Sequence, residues 1–148
     1  MNKLVIANRG TGQIGKSSSI KAVYQLMKDK GNALITEEWQ GEDIKAIFEI
    51  RGVKVGIESQ GDPDSLMEPT MEAFVIENCE IIVTASRTKS FTYKKVTDYL
   101  SDENGYDIIW ASHYVYQAPN ADETRDHLNT RYAQQVLQLI DDRINEII

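Results

Sequence analysis

The chain has 148 residues, enough to bury one hydrophobic core, so we expect a single domain over residues 1–148. Its net charge of −7 argues against general nucleic-acid binding, which needs a basic face. The lone Cys79 excludes a disulfide framework and a cysteine-based zinc site, and we expect it to be an ordinary semi-buried residue. No apolar run approaches the roughly 20 residues of a membrane helix. Since Met1 and Asn2 lead directly into a predicted strand without a signal peptide, the expected location is the cytoplasm.

The first predicted elements are a strand, a glycine-rich loop and a helix. Residues 3–8 form an apolar strand, and residues 18–30 form a helix that Gly31 and Asn32 end. The loop GTGQIGKS between them fits the pattern G-x-x-x-x-G-K-[S/T], the Walker A phosphate-binding loop. A loop in this position directs its backbone N–H groups at one point, where the helix dipole adds positive potential. The predicted nucleotide-binding residues are Gly10, Thr11, Gly12, Gln13, Ile14, Gly15, Lys16, Ser17 and Ser18.

Two side chains of this loop have distinct predicted roles. The glycines allow the backbone to approach phosphates closely, which leaves the charge compensation to Lys16. Its ammonium would reach the β- and γ-phosphates, and the Ser17 hydroxyl would ligate Mg²⁺. The motif therefore predicts a nucleoside triphosphate site in which Lys16 also acts in catalysis.

The next predicted elements are a short strand and a hairpin. Residues 33–36 form the short strand, and the polar, acidic residues 37–43 connect it to a strand over 44–50. Arg51 and Gly52 then make a two-residue turn into a strand over 53–58, so this pair should be antiparallel. Trp39 and Gln40 lie in the acidic connection, which either binds a substrate or acts as a flexible switch.

The rest of the chain alternates between helices and strands. We predict a loop over 61–65, a helix to about residue 78, a strand over 80–85 and a loop over 86–90. A helix over 91–102, a strand over 107–111 and a long amphipathic helix from residue 122 to 148 follow. This alternation predicts an α/β fold: a mostly parallel sheet with helices on both faces and one antiparallel excursion.

On these residues the chain resembles the P-loop NTPase superfamily. The resemblance is specific over Gly10–Ser17 and extends to the predicted topology of the whole chain. It implies a three-layer P-loop NTPase domain, with a mostly parallel sheet and one antiparallel hairpin strand. It also implies a nucleotide, Mg²⁺ and phosphoryl chemistry, without naming the acceptor or protein partner.

The resemblance also suggests where a second acidic residue should lie. The strand over 53–58 ends at Glu58 and continues into Ser-Gln-Gly, which is similar to the Walker B and switch region with Glu in place of Asp. In that interpretation Glu58 holds Mg²⁺ directly or through water, Gln60 orients the attacking water, and the backbone of Gly61 senses the γ-phosphate. The alternative is that Glu58 only ends a strand and Gln60 is a polar loop residue. Asp62 and Asp64 are alternative residues around the metal, and Asp64 also suits a helix cap.

Two further side chains follow predicted strand ends, where open α/β sheets bind ligands. Arg87 could stabilise negative charge on a γ-phosphate or acceptor, because its planar guanidinium binds phosphate oxygens in a bidentate manner. A solvated loop charge is the alternative for Arg87. His113 follows the last strand and is either near the base or acceptor or part of ordinary packing.

Features that the sequence lacks indicate which base the nucleotide carries and which reaction the protein catalyses. Neither candidate strand end carries [N/T]-K-x-D, the guanine-reading motif of P-loop GTPases, so adenine is favoured. An ATP hydrolase or nucleotide-dependent switch is the first hypothesis, and a small-molecule or nucleoside kinase is the second. The chain has few arginines and no long insertion to serve as a lid, which favours the hydrolase or switch. A non-catalytic nucleotide-binding domain is the third hypothesis.

Overall fold

A computed structural model describes residues 1–9, 16–59, 67–86, 91–120 and 122–148. These ranges contain both helices and strands, and none of the helices there is both long and apolar enough to cross a membrane. The elements in chain order are β1 Leu4–Arg9, α1 Lys16–Asp29, β2 Ala33–Gln40, β3 Asp43–Ile50, β4 Val53–Glu58, α2 Met67–Ile76, β5 Ile81–Ser86, α3 Phe91–Lys94, a π-helix Lys95–Glu103, β6 Asp107–Ala111 and α4 Asp122–Ile144.

In the described ranges six strands form one sheet in the order β2-β3-β4-β5-β1-β6. β3 runs antiparallel to β2 and β4, and the remaining pairs are parallel. Side chains alternate between the two faces of each strand. In β1, Leu4 and Ile6 pack with α1 and α4, whereas Val5 and Ala7 pack with α2 and the π-helix. The α/β class, the mostly parallel sheet and the helices on both faces are therefore confirmed.

The predicted hairpin is confirmed, and its turn has the geometry that two-residue hairpins favour. Arg51 and Gly52 both have positive φ, 48° and 81°, as a type I′ turn requires. Cys79 is fully buried and not semi-buried as predicted, and burial raises the pKa of its thiol to about 12. The thiol is therefore protonated near neutral pH and is a packing residue.

The acidic connection over 37–43 was predicted wrongly, because only Gly41 and Glu42 lie between β2 and β3. Glu37–Gln40 extend β2, and Asp43 begins β3. β2 is an edge strand whose side chains are mostly exposed, so polar residues are tolerated along its length. The sequence therefore lacks the apolar alternation that marks a half-buried strand. The last helix is also shorter than predicted, since α4 ends at Ile144.

The packing of β4 against α2 predicts a large effect of one added methyl group. A Cβ atom at Gly56 would lie 2.8 Å from the ring of Phe74, which is fully buried. We expect Gly56→Ala to lower the free energy of unfolding by about 1–3 kcal/mol, measured by urea denaturation. Combining it with Phe74→Leu should cost less than the sum of the two single changes. Additive losses would show that the ring is not the obstacle.

Candidate functional site

Several predicted site residues lie outside the described ranges. They are the loop residues Gly10, Thr11, Gly12, Gln13, Ile14 and Gly15, the candidates Gln60, Gly61, Asp62, Asp64 and Arg87, and the side chain of Lys16. The elements on either side of the loop are described: β1 ends at Arg9, and Lys16 begins α1. β1 lies inside the sheet between the parallel strands β5 and β6. The loop therefore leaves the carboxyl end of an interior parallel strand, which is the edge where open α/β sheets bind ligands.

Asp43 is the acidic residue that contacts the predicted metal-binding serine. The Ser17 hydroxyl donates a hydrogen bond to Asp43 Oδ1 over 3.1 Å. The hydroxyl of Ser59, just after β4, donates to the same oxygen over 3.1 Å. Ser59 is buried, and its hydroxyl also accepts the backbone N–H of Ile44 at 2.9 Å. One carboxylate thus links the first turn of α1, the start of β3 and the end of β4.

This arrangement leaves acceptor capacity on the Ser17 hydroxyl. A hydroxyl has one hydrogen to donate and two lone pairs. Because the hydrogen is directed at Asp43, the lone pairs remain available to a cation. Such outer carboxylates orient metal ligands and increase their basicity. The oxygen donors here are of the kind Mg²⁺ prefers, although the described residues contain no group of three His, Cys, Asp or Glu that could hold a metal by themselves. A site with phosphate oxygens and waters as the remaining ligands fits this donor set.

Glu58 lies at the predicted strand end but in a different environment. Its side chain is buried, and its Oε2 accepts a hydrogen bond of 2.7 Å from the Thr84 hydroxyl on β5. β4 pairs with β5, and β5 in turn separates it from β1. Two strand spacings, about 10 Å, separate the backbones of β4 and β1. Ile57 packs with α1 and α4, so alternation places Glu58 on the opposite face.

The predicted metal role of Glu58 can be tested by an isosteric change. We expect Glu58→Gln to leave nucleotide binding largely intact and to lower turnover at least about tenfold, because its charge matters most in the transition state. The amide oxygen still accepts the Thr84 hydrogen bond, so the fold should persist. Turnover and calorimetric affinity are measured together, with the exposed Glu49→Gln on β3 as the control. Unchanged turnover would leave Glu58 as a structural carboxylate only.

Asn8 connects three elements at the same edge of the sheet and was missed by the sequence reasoning. Its side chain is fully buried near the end of β1. Its Nδ2 donates to the Ser19 hydroxyl of α1 over 2.7 Å, and its Oδ1 accepts the backbone N–H of His113 at 3.2 Å. His113 Nδ1 is also 3.2 Å from this oxygen. Asn8 therefore fixes the segment after β6 beside the start of α1, and His113 belongs to that support. A polar residue near the end of an apolar strand is the signal that marks Asn8.

Arg9, at the end of β1, carries a positive charge directly before the loop. Its guanidinium lies 5.3 Å from the ring centroid of Trp110 and 5.6 Å from that of Tyr93. The two rings stack on each other with centroids 5.2 Å apart. Planar guanidinium groups suit both aromatic faces and phosphate oxygens. Among the arginines, only Arg87 was predicted from the sequence to act on the phosphates, although Arg9 is the residue that immediately precedes the motif.

A second contact joins α1 to the β2 edge strand. The Tyr24 hydroxyl donates to the Glu37 carboxylate, which also accepts the indole N–H of Trp39 at 2.9 Å. Burial, reinforced by this carboxylate, raises the pKa of Tyr24 to about 12. The hydrogen bond from Tyr24, followed by that from Trp39, lowers the pKa of Glu37. Tyr24 is therefore protonated and Glu37 ionised at neutral pH. Their hydrogen bond anchors β2 to α1.

Comparison of the chain with protein-family models, with curated protein sequences and with solved structures finds no match. The sequence motif, the fold and the contacts described above are therefore what support a function for this chain.

Proposed function

We propose that this protein is an ATP-binding P-loop NTPase whose activity, ATP hydrolysis or nucleotide-dependent switching, requires Mg²⁺. The observation that carries the proposal is where the motif stands in the fold. Its pattern spans residues 10–17, between the end of the interior strand β1 and the first turn of α1. Backbone N–H groups at such a junction, together with the helix dipole, suit a polyphosphate.

Four roles at the phosphates would be divided among the residues of this edge of the sheet. Lys16 would compensate the charge of the β- and γ-phosphates. The Ser17 hydroxyl, oriented by Asp43, would ligate Mg²⁺, which when bound supplies electrostatic stabilisation of the transferring phosphoryl group. Glu58 would hold Mg²⁺ directly or through water, and Gln60 would orient the attacking water. Arg9 or Arg87 would add positive charge at the same edge of the sheet.

A kinase that transfers the γ-phosphoryl group to a hydroxyl acceptor is the second candidate. The observation that favours it is the cluster of Tyr24, Glu37 and Trp39 beside α1, where an acceptor could bind. Kinases usually exclude water with a closing lid that carries arginines. The sequence has few arginines and no long insertion to serve as such a lid, and this favours the hydrolase.

The proposal is tested first by binding and then by turnover. ATP should raise the melting temperature, and more so with Mg²⁺ than with a chelator, because only the folded state binds it. Release of inorganic phosphate is then measured with ATP alone and with a panel of hydroxyl acceptors. Phosphate release without an acceptor supports the hydrolase, and transfer to an acceptor supports the kinase. Binding without turnover leaves a nucleotide-binding domain, and no binding contradicts the proposal.

A further inference from the structure

A cavity of about 590 Å³ lies beside the first turn of α1. The chain surrounds it with Ser18, with the segment after β6 and with the start of α4. Three large side chains along that segment are unusually exposed for their type: Tyr114 (43%), Val115 (60%) and Tyr116 (41%). Exposed apolar surface around a concave site is typical of a site that a ligand covers.

The walls of the cavity are held by hydrogen bonds to α4. The Tyr114 hydroxyl lies 3.1 Å from Gln135 Oε1 and 2.9 Å from its Nε2. Arg125 Nε donates to the backbone carbonyl of Tyr116 over 3.2 Å, and its guanidinium lies 3.8 Å from an oxygen of Asp122. At its other end the segment is fixed to Asn8 through His113. The Tyr114 side chain and the backbone of Tyr116 are therefore held in place at the site before a ligand binds.

The location of the cavity relates it to the phosphate site. Ser18 lines it and directly follows Ser17, and β6 pairs with β1 up to Ala111 opposite Asn8. A nucleotide with its phosphates at the start of α1 has its nucleoside within reach of this cavity. A second cavity of about 420 Å³ shares Ser18, Asp126 and Asn129 with the first but extends along α1 to Asp29. That residue is about 20 Å along the helix from its first turn, so the second cavity leads away from the phosphates.

We infer that the cavity beside Ser18 binds the adenine base of the nucleotide, an inference that rests on the proposed function. Tyrosine rings provide faces on which a purine can stack. Asn129 lines the cavity, and its side-chain amide has both N–H donors and a carbonyl acceptor. One of each binds adenine in a bidentate manner. Asp126 adds a carboxylate acceptor, which suits the amino group at C6 of adenine and repels the carbonyl oxygen that guanine carries there. The cation Arg125 is already engaged by Tyr116 and Asp122.

The experiment compares three probes on the full chain by calorimetry in the presence of Mg²⁺: ATP, GTP and inorganic tripolyphosphate. Wild type should bind ATP more tightly than GTP. Asn129→Ala should weaken ATP binding about tenfold, the lower part of the range for one bidentate base contact, and leave tripolyphosphate binding unchanged. Asp126→Asn should reduce the preference for ATP over GTP. The matched control is Gln134→Ala, an exposed amide elsewhere on α4, which should change none of the three affinities.

Each result distinguishes the base site from the phosphate site. If Asn129→Ala binds ATP as tightly as wild type, or if GTP binds more tightly than ATP, the adenine site is wrong while the phosphate site can stand. If wild type binds neither ATP nor tripolyphosphate, the proposed function fails and the base site fails with it. An equal loss of ATP and tripolyphosphate binding in Asn129→Ala would indicate a general structural defect and would also overturn the inference.

Discussion

Lys16→Ala is expected to weaken ATP binding at least about 100-fold. Charge-assisted contacts to phosphate are the strong hydrogen bonds of such sites, worth about 1.5–3 kcal/mol each. Lys16 would contact two phosphates, and each 1.4 kcal/mol is a factor of ten in affinity. Removing the ammonium would leave the charge of the β- and γ-phosphates uncompensated in a partly desolvated loop. Calorimetric titration with Mg²⁺ and ATP measures the change directly.

The matched control is Lys30→Ala, which removes an exposed ammonium just beyond the far end of α1. It changes the net charge by the same amount, so it separates a local contact from the overall potential of the protein. Wild-type affinity is expected for this control. Equal ATP affinity in Lys16→Ala and wild type would contradict the nucleotide-site assignment itself.

The order and type of the elements could be predicted because their patterns are strong. Continuous apolar runs identified β1 and β5, whose side chains are buried on both faces of the sheet. The two-residue turn at Arg51 and Gly52 defined the β3–β4 hairpin. The strand order was harder to predict, because the sequence does not specify which parallel strands pair with β1 in the sheet. One of them is β5, and it separates β1 from the strand that ends at Glu58.

The serine of the candidate site was predictable and its acidic partner was not. Ser17 belongs to a motif whose spacing is fixed by loop geometry. Asp43 is 26 positions further along the chain and lies among several acidic residues in an edge hairpin. Its contact with Ser17 depends on β2 continuing to Gln40, so that the hairpin turns at Gly41 and Glu42 and β3 begins at Asp43. No local pattern carries that information, because it arises from tertiary placement of the hairpin against α1.

After Lys16, we expect the largest effect on function from Asp43, because its carboxylate accepts hydrogen bonds from both Ser17 and Ser59. We expect Asp43→Ala to raise the Mg²⁺ concentration required for half-maximal ATP turnover by about 10–100-fold, the usual cost of removing a residue that orients a metal ligand. The reason is geometric, since without the carboxylate the Ser17 hydroxyl loses the acceptor that orients its lone pairs. ATP binding measured in a chelator, which removes Mg²⁺, should change little. Asp43 contacts Ser17 and Ser59, and in the proposed site it makes no contact with the phosphates.

The control for this change is Glu42→Ala, which removes the neighbouring, exposed carboxylate of the same turn. Asp43→Asn distinguishes charge from hydrogen bonding, because its amide oxygen can still accept from Ser17 and Ser59 while the negative charge is lost. A smaller rise for Asp43→Asn than for Asp43→Ala would assign the effect to orientation of the hydroxyls, and an equal rise would assign it to charge. If the Mg²⁺ requirement is the same in Asp43→Ala, Glu42→Ala and wild type, Asp43 only holds the hairpin against α1. Another acid must then support the metal, and Glu58 and Asp62 are the next candidates.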